Sequence, residues 1–346
     1  MTVEQGSGPV AGPVLPEDHE QETRAAEAGE RHGSALTKLR RAAGSRPAIA
    51  AFLAVALGFG CYAVVHDWSA IRAGLDRLTV PQLVAALGCV LFALFAGLMQ
   101  WRAVLTDLGS PLPLRAAARV FFLGQLGKYL PGSVWAALGQ MELAKAYKVP
   151  RARSAATYAI TMLTTLIAAV VVAAALLPFV EPARLHTYVW VLLIAPIGLV
   201  TLLPAVLRPV LATVFRVLRQ PPPDHPITAK GTALAFAWAV IGWFGYGLQI
   251  WVLATALGAP TGRAFAASVG GFALAWSVGF LILFAPAGAG AREATLVVLL
   301  AAVLPTDTAL LAALVSRLLM TAADLVTAAA AVAATRMRTR RPDVSG

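Results

Sequence analysis

The sequence predicts an all-α, polytopic transmembrane helix bundle, and three observations carry that expectation. Apolar side chains make up 59% of the 346 residues and charged ones only 13%, about half the charged share of an ordinary soluble domain. The apolar residues fall in blocks of about 20, the length a helix needs to cross the hydrocarbon core. Lys and Arg gather at alternate ends of these blocks, as they do where positive charge sets the orientation of membrane spans.

The first 30 residues hold seven acids (Glu4, Glu17, Asp18, Glu20, Glu22, Glu27 and Glu30) against one base, Arg24. Residues 1–46 contain almost no large apolar side chain, so they are expected to be a disordered cytoplasmic tail. A transmembrane domain is expected over 47–335, and 336–346 as a basic cytoplasmic tail. Full spans are predicted at 47–65, 80–101, 154–178, 188–207, 231–257 and 308–334. Two other apolar stretches, 117–147 and 264–304, are interrupted by Gly, Pro and charge. They are predicted to be re-entrant, broken-helix hairpins.

Orientation follows from the bases near the span ends. Lys38, Arg40, Arg41 and Arg46 precede the first span, and Arg102, Arg115, Arg119, Lys145, Lys148, Arg151 and Arg153 lie between the second and third. Arg208, Arg216, Arg219 and Lys230 lie between the fourth and fifth, and Arg336, Arg338, Arg340 and Arg341 follow the last. The alternate loops are poorer, with Arg72 and Arg77 balanced by Asp67 and Asp76, and Arg184 by Glu181. Both termini are therefore predicted to be cytoplasmic, in a multi-pass protein of the cell (plasma) membrane.

The spacing of the two interrupted stretches predicts an inverted repeat with halves at about 47–178 and 188–334. Pro131 follows Trp101 by 30 residues and Pro286 follows Leu257 by 29; the next spans begin 23 and 22 residues after those prolines. Each half reads span, span, broken hairpin, span. Transporters built this way place their binding site between broken helices near the membrane midplane.

The candidate site residues lie in the two breaks and in the last span. The first break, Gly127-Lys128-Tyr129-Leu130-Pro131-Gly132-Ser133, leads into Gln140 and Glu142. Pro131 removes a backbone donor and Gly132 permits a sharp turn. A helix starting near Ser133 would turn unpaired N–H groups inward, an arrangement suited to phosphate, with Lys128 adding a full charge. The second break runs Pro286-Ala287-Gly288-Ala289-Gly290-Ala291-Arg292-Glu293. Glu293 suits a first helical turn and Arg292 does not, so Arg292 is a candidate anion ligand or the partner of Glu293 in an interfacial cap. Arg317 and Asp324 in the last span are seven residues apart, on one helix face, and are expected to pair or to share a polar cavity. Gln249 is expected to hydrogen-bond between helices.

Several function classes are disfavoured. The net charge of +11 rises to +17 once the first 30 residues are set aside, 27 bases facing 10 acids. These bases flank apolar spans, where lipid headgroups account for them better than nucleic acid does. Cys61 and Cys89 lie within apolar blocks, and the five His residues show no metal-ligand spacing, so no disulfide framework, metal or cofactor is expected. No GxSxG, HExxH, Walker A or CxxC pattern occurs, and an enzyme is not expected.

The two broken motifs, with Gln140-Met141-Glu142-Leu143 after the first, resemble the transmembrane-region family of lysylphosphatidylglycerol synthases, flippase-like integral membrane proteins. The resemblance covers about 47–335, and Ala287 stands where the family usually has Gly. It implies a stand-alone flippase-like domain, since the chain ends twelve residues after Ala334 without a soluble synthase domain. It also implies a membrane lipid as partner: an anionic or lysyl-modified phospholipid, or a lipid-linked glycan. The expected function is lipid translocation, with a headgroup held between the broken helices. Secondary transport of a small anion and a non-transporting role in envelope assembly are the alternatives, and a homo-oligomer is compatible with all three.

Overall fold

Helix boundaries coincide with prolines and N-capping threonines. The computed structural model describes residues 76–129, 134–180, 185–217, 225–281 and 290–339, all within one compact unit, Ala54–Gly346. Among the described residues there are helices and no strands. Helix α1 (Val80–Asp107) starts after Thr79, whose N–H donates to Gln82 Oε1 at 2.9 Å. The short α2 (Leu114–Gln125) runs through a 3-10 turn, Leu126–Tyr129, and α3 (Trp135–Lys145) follows beyond the first break. Then come α4 (Arg151–Leu176), α5 (Leu185–Thr201), α6 (Pro204–Val217) and α7 (Ala229–Ala256). Helix α8 (Thr261–Leu281), α9 (Ala291–Leu300) and α10 (Thr306–Thr339) complete the set.

The chain is an all-α, multi-pass membrane protein. Helices α1, α4, α7, α8 and α10 are long and apolar enough to cross a membrane, and α5 with α6 adds a sixth candidate. The expected spans at 80–101, 154–178, 231–257 and 308–334 correspond to α1, α4, α7 and α10. The expected span at 47–65 lies outside the described residues. The stretch at 188–207 is not one straight helix: it is bent by 84° between Thr201 and Pro204. Pro204 has no N–H to continue the ladder, and its ring opposes the carbonyl one turn earlier. The two hairpins are also unequal. In the first, both limbs are short. In the second, α8 has 21 residues, about 31 Å at 1.5 Å per residue, before a 10-residue α9. Helix α8 is buried from Ala264 to Ala275 except for the half-buried Phe265, so neighbouring helices enclose most of its length.

Helices α1 and α7 pair antiparallel along the centre of the bundle. At one end, the Asp107 carboxylate closing α1 accepts from Thr228 N (2.6 Å) and Thr228 Oγ1 (2.7 Å), at the N-cap of α7. Midway, small residues bring the backbones together: a Cβ on Gly245 would lie 2.9 Å from Ala93 Cβ, and one on Gly242 would lie 3.7 Å from Ala96 Cβ. In a membrane, where lipid is as apolar as leucine, such close approach gives much of the packing attraction. Buried polar groups tie the spans further. Gln100 on α1 donates to Thr161 O, Thr164 Oγ1 and Thr165 Oγ1 on α4 at 2.8–3.1 Å. Gln249 on α7 accepts from Ser316 Oγ on α10 at 3.0 Å, the interhelical bond expected of it.

Element boundaries recur at fixed offsets. Helices α1 and α7 both have 28 residues and begin 149 residues apart; each follows a Thr and ends before a Leu–Gly pair, Leu108-Gly109 and Leu257-Gly258, whose glycines have φ of +82° and +105°. After the breaks the offset is 155: α3 and α9 end before Ala146 and Ala301, and α4 and α10 begin at Arg151 and Thr306.

A close backbone contact between helices gives a direct check on packing. A Cβ on Gly247 of α7 would lie 2.4 Å from Val269 Cα of α8, whereas Gly88 has nothing within 4 Å. Gly88→Ala is expected to leave thermal stability in detergent unchanged or to raise it by up to about 1 kcal/mol through helix propensity. Gly247→Ala is expected to lower it by about 1–3 kcal/mol through overpacking. Equal behaviour of the two variants would show that α7 and α8 do not pack as described.

Candidate functional site

Five charged side chains from three separate parts of the chain converge on α10. Glycine begins the construction of the first. Gly124 and Gly139 let α2 and α3 touch, a Cβ on Gly139 falling 3.4 Å from Gly124 Cα, and one on Gly127 would collide with the Trp135 carbonyl group. The 3-10 turn that ends α2 thereby delivers Lys128 and Tyr129 against α10. Lys128 Nζ lies 2.7 Å from Asp324 Oδ2, and Tyr129 Oη donates to the same oxygen at 2.5 Å. Asp324 is only 4% exposed, while Lys128 keeps 27% of its side chain accessible.

Gly290, at φ +85°, starts α9, and its N–H donates to Glu293 Oε2 at 2.8 Å. The other carboxylate oxygen, Oε1, accepts from two guanidiniums: Arg292 Nη2 at 2.8 Å and Arg317 Nη1 at 2.7 Å. Arg292 is 8% exposed. Its guanidinium lies 5.8 Å from the Phe272 ring centroid and its Nη1 lies 3.7 Å from Met320 Sδ. A buried arginine held by a carboxylate and an aromatic face uses the planar fork that lysine lacks.

The two groups share a neighbourhood. Tyr246 of α7 stacks on Phe272 at 5.7 Å and lies within electrostatic range of Arg292, Asp324 and Tyr129. Tyr129 in turn feels Arg317. Three cations (Lys128, Arg292, Arg317) face two carboxylates (Asp324, Glu293), which leaves one positive charge in surplus. Arg317 and Lys128 are the members with most accessible side chain. The arrangement is suited to an anion that approaches from their exposed side.

Not every expected residue belongs to this cluster. Arg317 and Asp324 share a face of α10 as expected, but each pairs with a different hairpin, so mutual neutralisation is not how they are satisfied. Seven residues separate their backbones by about 10 Å along the helix, and the ion pairs formed are Arg317 with Glu293 and Asp324 with Lys128. Gln140 is buried and its Oε1 accepts from Trp101 Nε1 at 2.8 Å, a bond that locks α3 to α1. Glu142 is 70% exposed and pairs with Lys145 on its own helix. Both stand apart because a helix turns successive side chains to different faces: Gln140 faces inward and Glu142 outward. Pro131, Gly132, Ser133, Pro286 and Gly288 lie outside the described residues. Sequence reasoning did not single out Tyr129, Tyr246, Phe272 or Met320. Tyr129 had a signal in its place beside Lys128, whereas Phe272 and Tyr246 had none, since only the packing of α7, α8 and α9 brings them to Arg292.

The fold and these charges define a polytopic membrane protein with a buried ionic centre. The chain belongs to the family described as lysylphosphatidylglycerol synthase TM region, whose profile matches residues 49–328. A membrane-lipid-related role is consistent with that membership. None of the curated proteins matches the chain.

Double-mutant cycles test the pairing. Lys128→Ala with Asp324→Ala, and Glu293→Ala with Arg317→Ala, are expected to show coupling above about 0.5 kcal/mol in thermal stability, because a lone buried charge costs more than a missing pair. Arg317→Ala with Asp324→Ala is expected to be additive within about 0.5 kcal/mol. Coupling confined to this last combination would contradict the pairing described.

Proposed function

We propose that the protein is a flippase-like lipid translocase that binds an anionic or aminoacylated headgroup against α10, between its two hairpins, and leaves the acyl or prenyl chains in the bilayer. The convergence of Lys128, Arg292 and Arg317 with only two carboxylates carries this reading. Charge inside a membrane is costly and marks a polar pathway by default. A phosphate arriving at Arg317 and Lys128 would relieve the surplus positive charge and compete with Glu293 and Asp324 for the same donors. Binding and release would then open and close the contacts that join each hairpin to α10. The reading assigns binding and movement rather than covalent chemistry, and the family description supports it, being that of a membrane region. It places the protein in the plasma membrane with both termini cytoplasmic, as the distribution of Lys and Arg supports.

The reading takes 47–178 and 188–334 as an inverted repeat. The constant offsets of 149 and 155 support it, as does the antiparallel pairing of α1 with α7, which are equivalents under the first offset. That offset also exchanges the two central contacts, Ala93–Gly245 and Ala96–Gly242, as a two-fold axis between them requires. Hairpins cross over in the same manner: α2 packs on α10 and α8 on α4. Two halves related in this way have two equivalent arrangements, open to opposite sides of the membrane.

The test is a headgroup-exposure assay in reconstituted vesicles, run beside uptake of a soluble anion such as phosphate. Lipid movement without phosphate uptake is the expected result, and uptake without lipid movement would instead identify a small-anion transporter. By native mass spectrometry, Lys128→Ala and Arg292→Ala are each expected to weaken anionic-lipid binding by about 1.5–3 kcal/mol, on the order of tenfold to a hundredfold. Arg292→Lys should weaken it despite keeping the charge, and Lys128→Arg should be milder. Unchanged affinity in both alanine variants would remove these residues from the site. Impermeant thiol reagents should reach a single cysteine beside Arg263 from outside and not one beside Arg216; the reverse pattern would overturn the orientation.

A further inference from the structure

The first hairpin carries a groove that shares no residue with the ionic centre. An open groove of about 590 Å³ runs between α2 and α3, within the size range of small-molecule sites. Its floor is made of Gly124, Gly127 and Gly139, and its walls of Leu123, Leu138 and Met141. Its base is the glycine contact that brings the two helices together: a Cβ on Gly124 would lie 2.4 Å from Gln140 Cγ, and one on Gly127 2.6 Å from Ala136 N. Leu138 is 49% exposed, beside an equally accessible Trp135 ring. At one end, the groove reaches Glu142 and Arg151, where α3 turns into α4.

That rim is basic. Lys145, Lys148, Arg151 and Arg153 stand within nine residues, and Glu142 is the one acid between Val134 and Val180. Lys145 is occupied by Glu142 and Arg153 bonds to Gly109 O and Ser110 Oγ. Lys148 sits at a positive φ of 59°, a strained place for a side chain with a Cβ. Gly127, which also lines the groove, is next in sequence to Lys128 of the ionic centre.

We infer that this groove is an entry site for an anionic phospholipid, one acyl chain lying over the glycine floor and the phosphate resting on Lys148 and Arg151. Charge complementarity selects the occupant: the rim has surplus positive charge and the groove is mostly apolar. The inference rests on the lipid-handling reading above and adds the place where lipid waits before its headgroup reaches Lys128 and Arg317. Phospholipid with a net negative charge should be held here, and zwitterionic phospholipid should not.

The experiment is photo-crosslinking of the full-length protein in nanodiscs, using phosphatidylglycerol with a diazirine in one acyl chain, and phosphatidylcholine with the same label as control. Peptide mapping is expected to find adducts on Leu123, Leu138 and Met141, with phosphatidylglycerol labelling at least fivefold above phosphatidylcholine. Lys148→Gly combined with Arg151→Gln should abolish that preference; Gly at 148 suits the backbone there, so the fold is kept. Leu138→Trp, which fills an exposed position in the groove, should reduce labelling without changing the rim. Equal labelling by both lipids, or equal adducts on the exposed Phe92 and Phe95 of α1, would overturn the inference. Lys128→Ala and Arg292→Ala separate it from the translocase reading. Groove labelling that persists while central binding is lost supports both. Central binding without groove preference overturns the groove alone. Groove preference with unchanged central affinity in those variants overturns the translocase site alone.

Discussion

A charge inside hydrocarbon must be paired or must face water, and this constraint organises the protein around α10. That helix carries Arg317 and Asp324 in its apolar stretch, each costly by itself. Neither is neutralised by its neighbour on the same helix. Each draws in a hairpin: Asp324 holds the turn at Lys128 and Tyr129, and Arg317 holds the start of α9 through Glu293. The short helices that cannot span the membrane are thus fixed at their tips to the one long helix that carries matching charge. Arg292 completes the arrangement by sharing Glu293 with Arg317 and resting on Phe272.

Several helix boundaries recur at offsets of 149 and 155 residues, but the charged residues do not. The positions 155 residues before Arg292, Glu293, Arg317 and Asp324 are Ala137, Leu138, Met162 and Ala169. Four of the five charges therefore come from the second half, and the first contributes Lys128 alone. The hydrogen bonds show the same shift: Gln100 has three acceptors on α4, whereas its counterpart Gln249 keeps one bond to Ser316 and a buried Nε2 without an acceptor. The charges thus gather on the second hairpin and α10, where Arg292, Glu293 and Arg317 meet.

Much of this was legible in the sequence because a membrane imposes a single length scale. Blocks of about 20 apolar residues located α1, α4, α7 and α10, and intramembrane charge pointed to Arg317, Asp324, Arg292 and Lys128. What was not legible depended on tertiary packing. The bend at Pro204 interrupts a block that is uniformly apolar, so hydropathy alone passes over it. Glu142 was drawn in by proximity to the first motif, yet its position on α3 turns it outward. The partners of Arg317 and Asp324 come from residues 24 and about 195 positions away, and no local pattern specifies which carboxylate meets which base. The aromatic support at Tyr246 and Phe272 was hidden for the same reason.

The central claim is that a lipid headgroup binds where the surplus positive charge of Lys128, Arg292 and Arg317 meets α10. The most direct measurement is an experimental structure in nanodiscs containing phosphatidylglycerol. The account predicts a headgroup phosphate within hydrogen-bond distance of both Lys128 and Arg317, with the Lys128–Asp324 or Arg317–Glu293 contact lengthened to admit it. Both ion pairs intact, with lipid density confined to the outer surface of the bundle, would contradict it.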